Sequence, residues 1–272
     1  METIIEAGRS ERNYWKDLWK FRELFYILAW RDIKVRYKQT VIGVAWSVIR
    51  PLLTMVVFTI VFNKIAKFSS GTDAPYAILV YAAMLPWQFF ANSLSESSGS
   101  LLGNTNLITK VYFPRLIIPA SSIIVSLIDF AVSFLILILL FVYYQYLPPI
   151  QILAVPVFVL LAFMAAFGSG LILTALNVKY RDFRYVIPFI IQFGLYISPV
   201  GFSSHVIPEK YQFLYSLNPM VGVIDGFRWC ILDSSAPLNN YSLLSAIIST
   251  VLITFIGIQY FRKTEKGFAD SI

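Results

Sequence analysis

From Val41 to Tyr260 the chain returns repeatedly to apolar runs near or above the roughly 20 residues that cross a bilayer. The polar connections between these runs are too short to hold a soluble domain of their own. Few patterns constrain a fold so strongly, because a backbone in lipid must satisfy its polar groups internally. Composition agrees: 58% of the residues are hydrophobic, 14% are charged and the mean hydropathy is +0.70. An all-α integral membrane protein is expected, with six spans at 41–63, 75–97, 116–146, 149–177, 184–200 and 241–261. These form one membrane domain over 41–262, between an N-terminal segment 1–40 and a tail 263–272. The interval 201–240 is apolar but broken by Pro208, Pro219 and several glycines. Two short re-entrant helices fit it better than one straight span, with Pro219 after Asn218 opening one of them.

Lysine and arginine bias sets the expected orientation. With the N-terminus cytoplasmic, 17 of the 22 Lys and Arg residues fall in cytoplasmic segments. Lys64, Lys67, Lys210 and Arg228 fall outside, and Arg50 lies within the first span. Both termini are then cytoplasmic. The net charge of +7 does not point to nucleic acid, because the cations gather in loops rather than along one face. The first apolar run begins only near Val41, far later than the core of a cleaved signal peptide, so a mature chain starting near Met1 is expected.

Over residues 11–33, Trp15, Leu18, Trp19, Phe25, Tyr26, Ala29 and Ile33 recur at helical spacing opposite Lys16, Lys20 and Glu23. This predicts an amphipathic helix in the headgroup plane, with a soluble helix packed on a partner as the alternative. Its continuation, RDIKVRYKQ, forms a basic collar suited to anionic headgroups or a diphosphate.

Catalytic motifs are missing. There is no phosphate-cradling G-x-x-x-x-G-K-[ST] loop, no H-E-x-x-H and no G-x-S-x-G. One cysteine, Cys230, excludes an internal disulfide and reads as a small buried hydrophobe; one histidine, His205, excludes a multi-histidine metal site and reads as a loop residue. Asp129 is the most isolated acid within a span, and reads either as functional or as a hydrogen-bonded interior group. Arg50, before Pro51, reads as a snorkelling cation or as one facing a polar cavity. Among the aromatics, Trp87 and Phe90 in LPWQFFANS and Phe193 and Tyr196 in QFGLYISPV read either as an interfacial belt or as a flat lining on which sugars could slide.

Four phrases in register, RDIKVRYKQTVIGVAWSVIRPL, YAAMLPWQFFANSLSESSGSLLGNTNLITKVYFPRLIIPASS, NVKYRDFRYVIPFIIQFGLYISPV and SLNPMVGVIDGFRW, resemble the permease subunits of ABC type 2 transporters. Within them, the likeness is to exporters of O-antigen, capsule and teichoic-acid polysaccharides. The resemblance implies a homodimeric channel in a bacterial inner membrane, bound to two copies of a separate ATPase that holds ATP and Mg. No cofactor is expected in this chain. The implied cargo is a glycan on undecaprenyl diphosphate, moved from cytoplasm to periplasm.

The same resemblance implies residue roles. A coupling helix that docks on the ATPase maps to 98–112, with Asn104, Asn106, Leu107, Lys110, Tyr112 and Arg115 as its contacts and Arg181 and Arg184 as a minor part. Pro114 makes a rigid corner after it. The N-terminal helix becomes a gate, with Arg31, Lys34, Arg36 and Lys38 gathering the lipid diphosphate. Phe193, Tyr196, Trp87 and Phe90 are expected to line the channel, and Pro188 to bend the fifth span. Two other classes compete. An ion-coupled secondary transporter or channel would show several intramembrane acids or inverted repeats, and a membrane-embedded transferase would show clustered carboxylates or histidines.

Overall fold

The structure is a computed structural model and describes residues 10–38, 41–65, 74–232, 238 and 240–268. Every regular element among these residues is helical. Helices α1 (Ser10–Lys20) and α2 (Arg22–Lys38) are nearly continuous, since backbone hydrogen bonds pass through Phe21. Helix α3 (Val41–Phe58) contains Pro51 and runs on into a π-helical stretch, Thr59–Ile65. Next come α4 (Tyr76–Gly103), the short α5 (Thr105–Lys110) and α6 (Ile117–Tyr143). A 3-10 turn at Ile150–Ala154 leads into α7 (Val155–Lys179), whose first turn accommodates Pro156 because its N–H would be unpaired there in any case. The chain ends with α8 (Phe183–Ile197), α9 (Glu209–Ser216), α10 (Pro219–Ile231) and α11 (Asn240–Thr264).

Four of these helices, α4, α6, α7 and α11, are long and apolar enough to cross a membrane. They correspond to the expected second, third, fourth and sixth spans. The expected first and fifth spans are present as helices, but their apolar parts are only Pro51–Phe62 and Phe183–Ile197. At about 1.5 Å per residue, α8 is shorter than the roughly 30 Å hydrocarbon layer, because Asp182 and Arg184 bound one end and Ser198-Pro199 the other. The expected 201–240 break is filled by two short helices. Of these, α9 is largely exposed, whereas α10 is buried against α4, α7 and α11.

Buried side chains form two cores. The larger takes α4, α10, much of α6 and the N-terminal part of α7, around Tyr81, Phe89, Ile123, Leu137 and Phe227. The smaller gathers Tyr14, Leu28, Leu101, Ile108, Phe113, Leu171, Phe261 and Phe268, so α1, α2, α5 and the nearby ends of α4, α6, α7 and α11 meet at one end of the bundle. Phe167 packs against both. Small residues let the long helices approach closely: a Cβ on Gly168 of α7 would come within 2.5 Å of the Thr254 Cα of α11, and one on Gly257 would collide with the Gly168 carbonyl.

The expected N-terminal amphipathic helix is present as α1 and α2, and one side of it packs on the bundle. Phe21, Leu24, Phe25 and Leu28 pack into the smaller core, and α2 runs along α6. Trp15, Trp19, Tyr26 and Trp30 stay exposed on the other side.

Candidate functional site

The element that the sequence places over 98–112 is shorter than expected. Helix α4 continues to Gly103, because Ser97, Ser98 and Ser100 turn their hydroxyls back onto the carbonyls of Leu94, Ser95 and Ser97 and stay buried. Small and self-satisfied, this serine face admits α7 closely: Thr174 Oγ1 donates to the Ser97 carbonyl at 2.8 Å and Asn177 Nδ2 to the Ser98 carbonyl at 2.9 Å. The helix breaks at Asn104 (φ −117°, ψ 28°), and α5 follows as less than two full turns. Ile108 anchors α5 in the smaller core; Asn106 and Lys110 are exposed and Leu107 is half-buried.

Beyond α5, Tyr112 is exposed while Phe113 and Pro114 are buried, forming the corner before α6. Arg115 is held by the C-terminal turn: its backbone N–H donates to Glu265 Oε1 at 2.7 Å, and its guanidinium donates to the Glu265 carbonyl. Tyr14, Tyr112, Arg115, Arg262, Lys263 and Lys266 are among the walls of a cavity of about 570 Å3 at this end. The Arg262 guanidinium stands 4.7 Å from the centre of the Tyr14 ring. Sequence reasoning did not find this contribution of the C-terminal turn, because no local motif marks it.

Arg181 and Arg184 are exposed, and line a groove of about 480 Å3 with Ser95, Ser98, Thr105 and Asn177. They therefore face the joint between α4 and α5. Pro188 lies within α8 on the same groove.

The four cations of the expected diphosphate site are not equivalent. Arg31 Nη2 donates to Asn104 Oδ1 at 2.9 Å and lies 2.7 Å from Asp32 Oδ1. Arg36 lies 2.8 Å from Asp129 Oδ2 and 3.2 Å from Glu96 Oε1. Lys34 sits 5.4 Å from the Trp30 ring centre and has no ion pair among the described residues. The Lys38 and Arg50 side chains, and that of His205, lie outside the described residues. Cys230 is fully buried, as expected of a small hydrophobe.

Asp129 is not isolated. Besides Arg36 it accepts the Tyr37 hydroxyl, and it is only 5% exposed. Burial and the neighbouring carboxylate push the Tyr37 phenol above its ordinary 10.0, which keeps it a donor. Partners 92 residues apart leave no local trace in sequence.

On α8, Phe193 and Tyr196 are exposed and share a face with Phe189, whose ring stacks on Phe193 at 5.7 Å. Phe90 is half-buried. Trp87 is buried instead, 5.7 Å from Phe90 and against Gly194, where a Cβ would come within 2.6 Å of its ring. Trp87 thus supports α8 from behind. The segment that follows the same end of α8 is pinned: Arg228, 4% exposed, donates to the carbonyls of Val200 and Phe202 at 3.1 and 2.7 Å, Tyr76 to that of Gly201 at 3.0 Å, and Asn218 Nδ2 to Ser198 Oγ at 3.1 Å. Asn218 also caps α10 by accepting from the Met220 N–H. Arg228, counted by sequence as a loop cation, is a buried brace. Among the described residues no three His, Cys, Asp or Glu side chains converge as a metal site would require.

The profile of ABC-2 type transporters matches residues 23–232. The chain belongs to the ABC-2 type transporter family. Similar proteins run nearly its full length. The O-antigen export system permease protein RfbA of Klebsiella pneumoniae is 26% identical over 91% of this chain and 94% of its own. Its namesake in Myxococcus xanthus is 24% identical over 94% and 98%, and the polysialic acid transport protein KpsM of Escherichia coli is 22% identical over 89% and 93%. The ABC-2 match spans α2 through α10, so α5 and α8 lie within it and α1 lies before it.

Proposed function

We propose that this chain is the channel subunit of an ATP-driven exporter that moves undecaprenyl-diphosphate-linked polysaccharide, O-antigen-like, from the cytoplasm to the periplasm of a bacterial inner membrane. The observation that carries the reading is the near full-length likeness to permeases named for O-antigen export and polysialic acid transport. The chain works as a homodimer of six-span subunits with both termini cytoplasmic, and α10 with α9 re-enters from the periplasmic side. Two copies of a separate ATPase bind ATP and Mg.

Exposed side chains support these roles. Helix α5 presents Asn106 and Lys110 to the ATPase, with Tyr112 just beyond it and Arg181 and Arg184 across the adjoining groove. The basic edge of α2 gathers the diphosphate, where Lys34 stands without an ion partner among the described residues and Arg31 and Arg36 hold fixed geometries. The exposed aromatic face of α8, with Phe193 and Tyr196, supplies the lining on which sugar rings slide.

Co-expression tests the reading. The chain is expected to co-purify with a co-expressed ABC ATPase, to change that ATPase's turnover in liposomes and to support polymer export in a permease-deleted strain. No complex and no effect on turnover would overturn it.

A further inference from the structure

Two residues assigned by sequence to different jobs meet in the structure. Asn104 is the joint at which α4 ends and α5 begins, and its side chain is used in both directions: Nδ2 closes α4 by donating to the Ser100 carbonyl at 2.9 Å, and Oδ1 accepts Arg31 of α2 at 2.9 Å. Asp32 fixes the same guanidinium through an Nε donation at 2.9 Å. Five positions later, Arg36 binds Glu96 on α4 and Asp129 on α6, and Tyr37 binds Asp129 again. Helix α2 is therefore tied at one point to the α4–α5 joint and at a second to the body of the bundle.

The tie matters because α5 has few other attachments. Among its own residues only Ile108 is buried. A push on α5 leaves through its two ends, the buried corner at Phe113–Pro114 and the joint at Asn104, and of these the joint carries a bond to α2. Helix α2 is also the element whose basic edge faces the way in for an anionic lipid.

We propose that Arg31 is a positioning residue for transport: its bond to Asn104 makes α2 follow α5, so the gate moves whenever the ATPase-facing element moves. The inference rests on the reading of α5 as the ATPase contact.

The test uses the full permease–ATPase complex in liposomes, with ATP turnover and polymer export measured together. Export per ATP is expected to fall by about fivefold or more in Arg31→Glu and in Asn104→Arg alone. Combined, the two re-form an opposite-charge pair with reversed polarity, and export per ATP should return to within about twofold of wild type. Arg31→Lys, which keeps a donor on a shorter head, should fall between. A merely structural role would lower assembly and turnover together, and the swap would not rescue it. Wild-type export per ATP in either single variant, or a double variant no better than the worse single one, overturns the role of Arg31. If wild-type chain leaves the ATPase unbound, the reading of α5 falls first and this proposal with it.

Discussion

Asp129 shows how a charge can sit within an apolar helix. Its carboxylate is nearly buried, yet Arg36 and Tyr37 both reach it from α2. A hydrogen bond to a charged group, here from the Tyr37 hydroxyl, is worth about 1.5–3 kcal/mol, and the ion pair with partly exposed Arg36 adds about 1 kcal/mol at most. Asp129→Ala should therefore lower the thermal midpoint in detergent and expose α2 to protease, with Tyr37→Phe costing less. An unchanged midpoint in Asp129→Ala would make the pair incidental. Glu265 behaves differently. Burial raises its pKa above the ordinary 4.5, and the Arg115 amide, with the guanidinium groups of Arg115 and Arg262, offsets part of the shift. A carboxyl raised on folding holds more protons in the folded chain than in the unfolded one between those two values, so its contribution to stability falls as pH rises through that window. Glu265→Gln keeps an acceptor for the Arg115 N–H but cannot ionise. The difference in thermal midpoint between pH 5 and pH 7.5 should shrink in that variant relative to wild type.

Elements were legible to different degrees. Hydropathy locates the four long apolar helices and the shorter α3 and α8, because positions facing the core and positions facing outward are both apolar. Hydropathy alone could not show that α4 runs on to Gly103, since its last turns are made of serines that read as a loop until their hydroxyls are seen bonded to their own helix. The contact between α7 and α11 is also silent in sequence. There, Gly257→Ala should destabilise the fold even though alanine favours helix over glycine by about 1 kcal/mol, because the new methyl would strike the Gly168 carbonyl. Gly99→Ala, with nothing within 4 Å of its Cβ position, is the matched control and should be neutral or stabilising. If both variants shift the melting temperature alike, the helices do not touch as closely as the coordinates place them. The candidate site was half legible. Asn104, Lys110, Arg31 and Arg36 could be named from the motifs that carry them, but the pairing of Arg31 with Asn104 and of Arg36 with Asp129 joins segments 73 and 93 positions apart, which no local pattern encodes.

At the scale of the whole molecule, the exposed aromatic face of α8 is too apolar and too long to remain uncovered in water, and in lipid it leaves stacked rings with no partner in this chain. In the purified complex, native mass spectrometry should find two copies of this 31.0 kDa chain per two ATPase subunits. A single copy would oblige one chain to form the channel alone.

The two buried cores meet through Phe167 but otherwise draw on different residues. In the language of hydrogen exchange, that arrangement makes two cooperative units rather than one. Amides at the α1, α2 and α5 end should exchange as a block with a lower opening free energy than those of α4 and α10 around Phe227. Binding of the ATPase should raise the protection of the first block and leave the second unchanged. On the proposed function, the end of the bundle that carries α5 is the part able to loosen and re-form in each cycle, while the core of α4 and α10 stays closed to solvent.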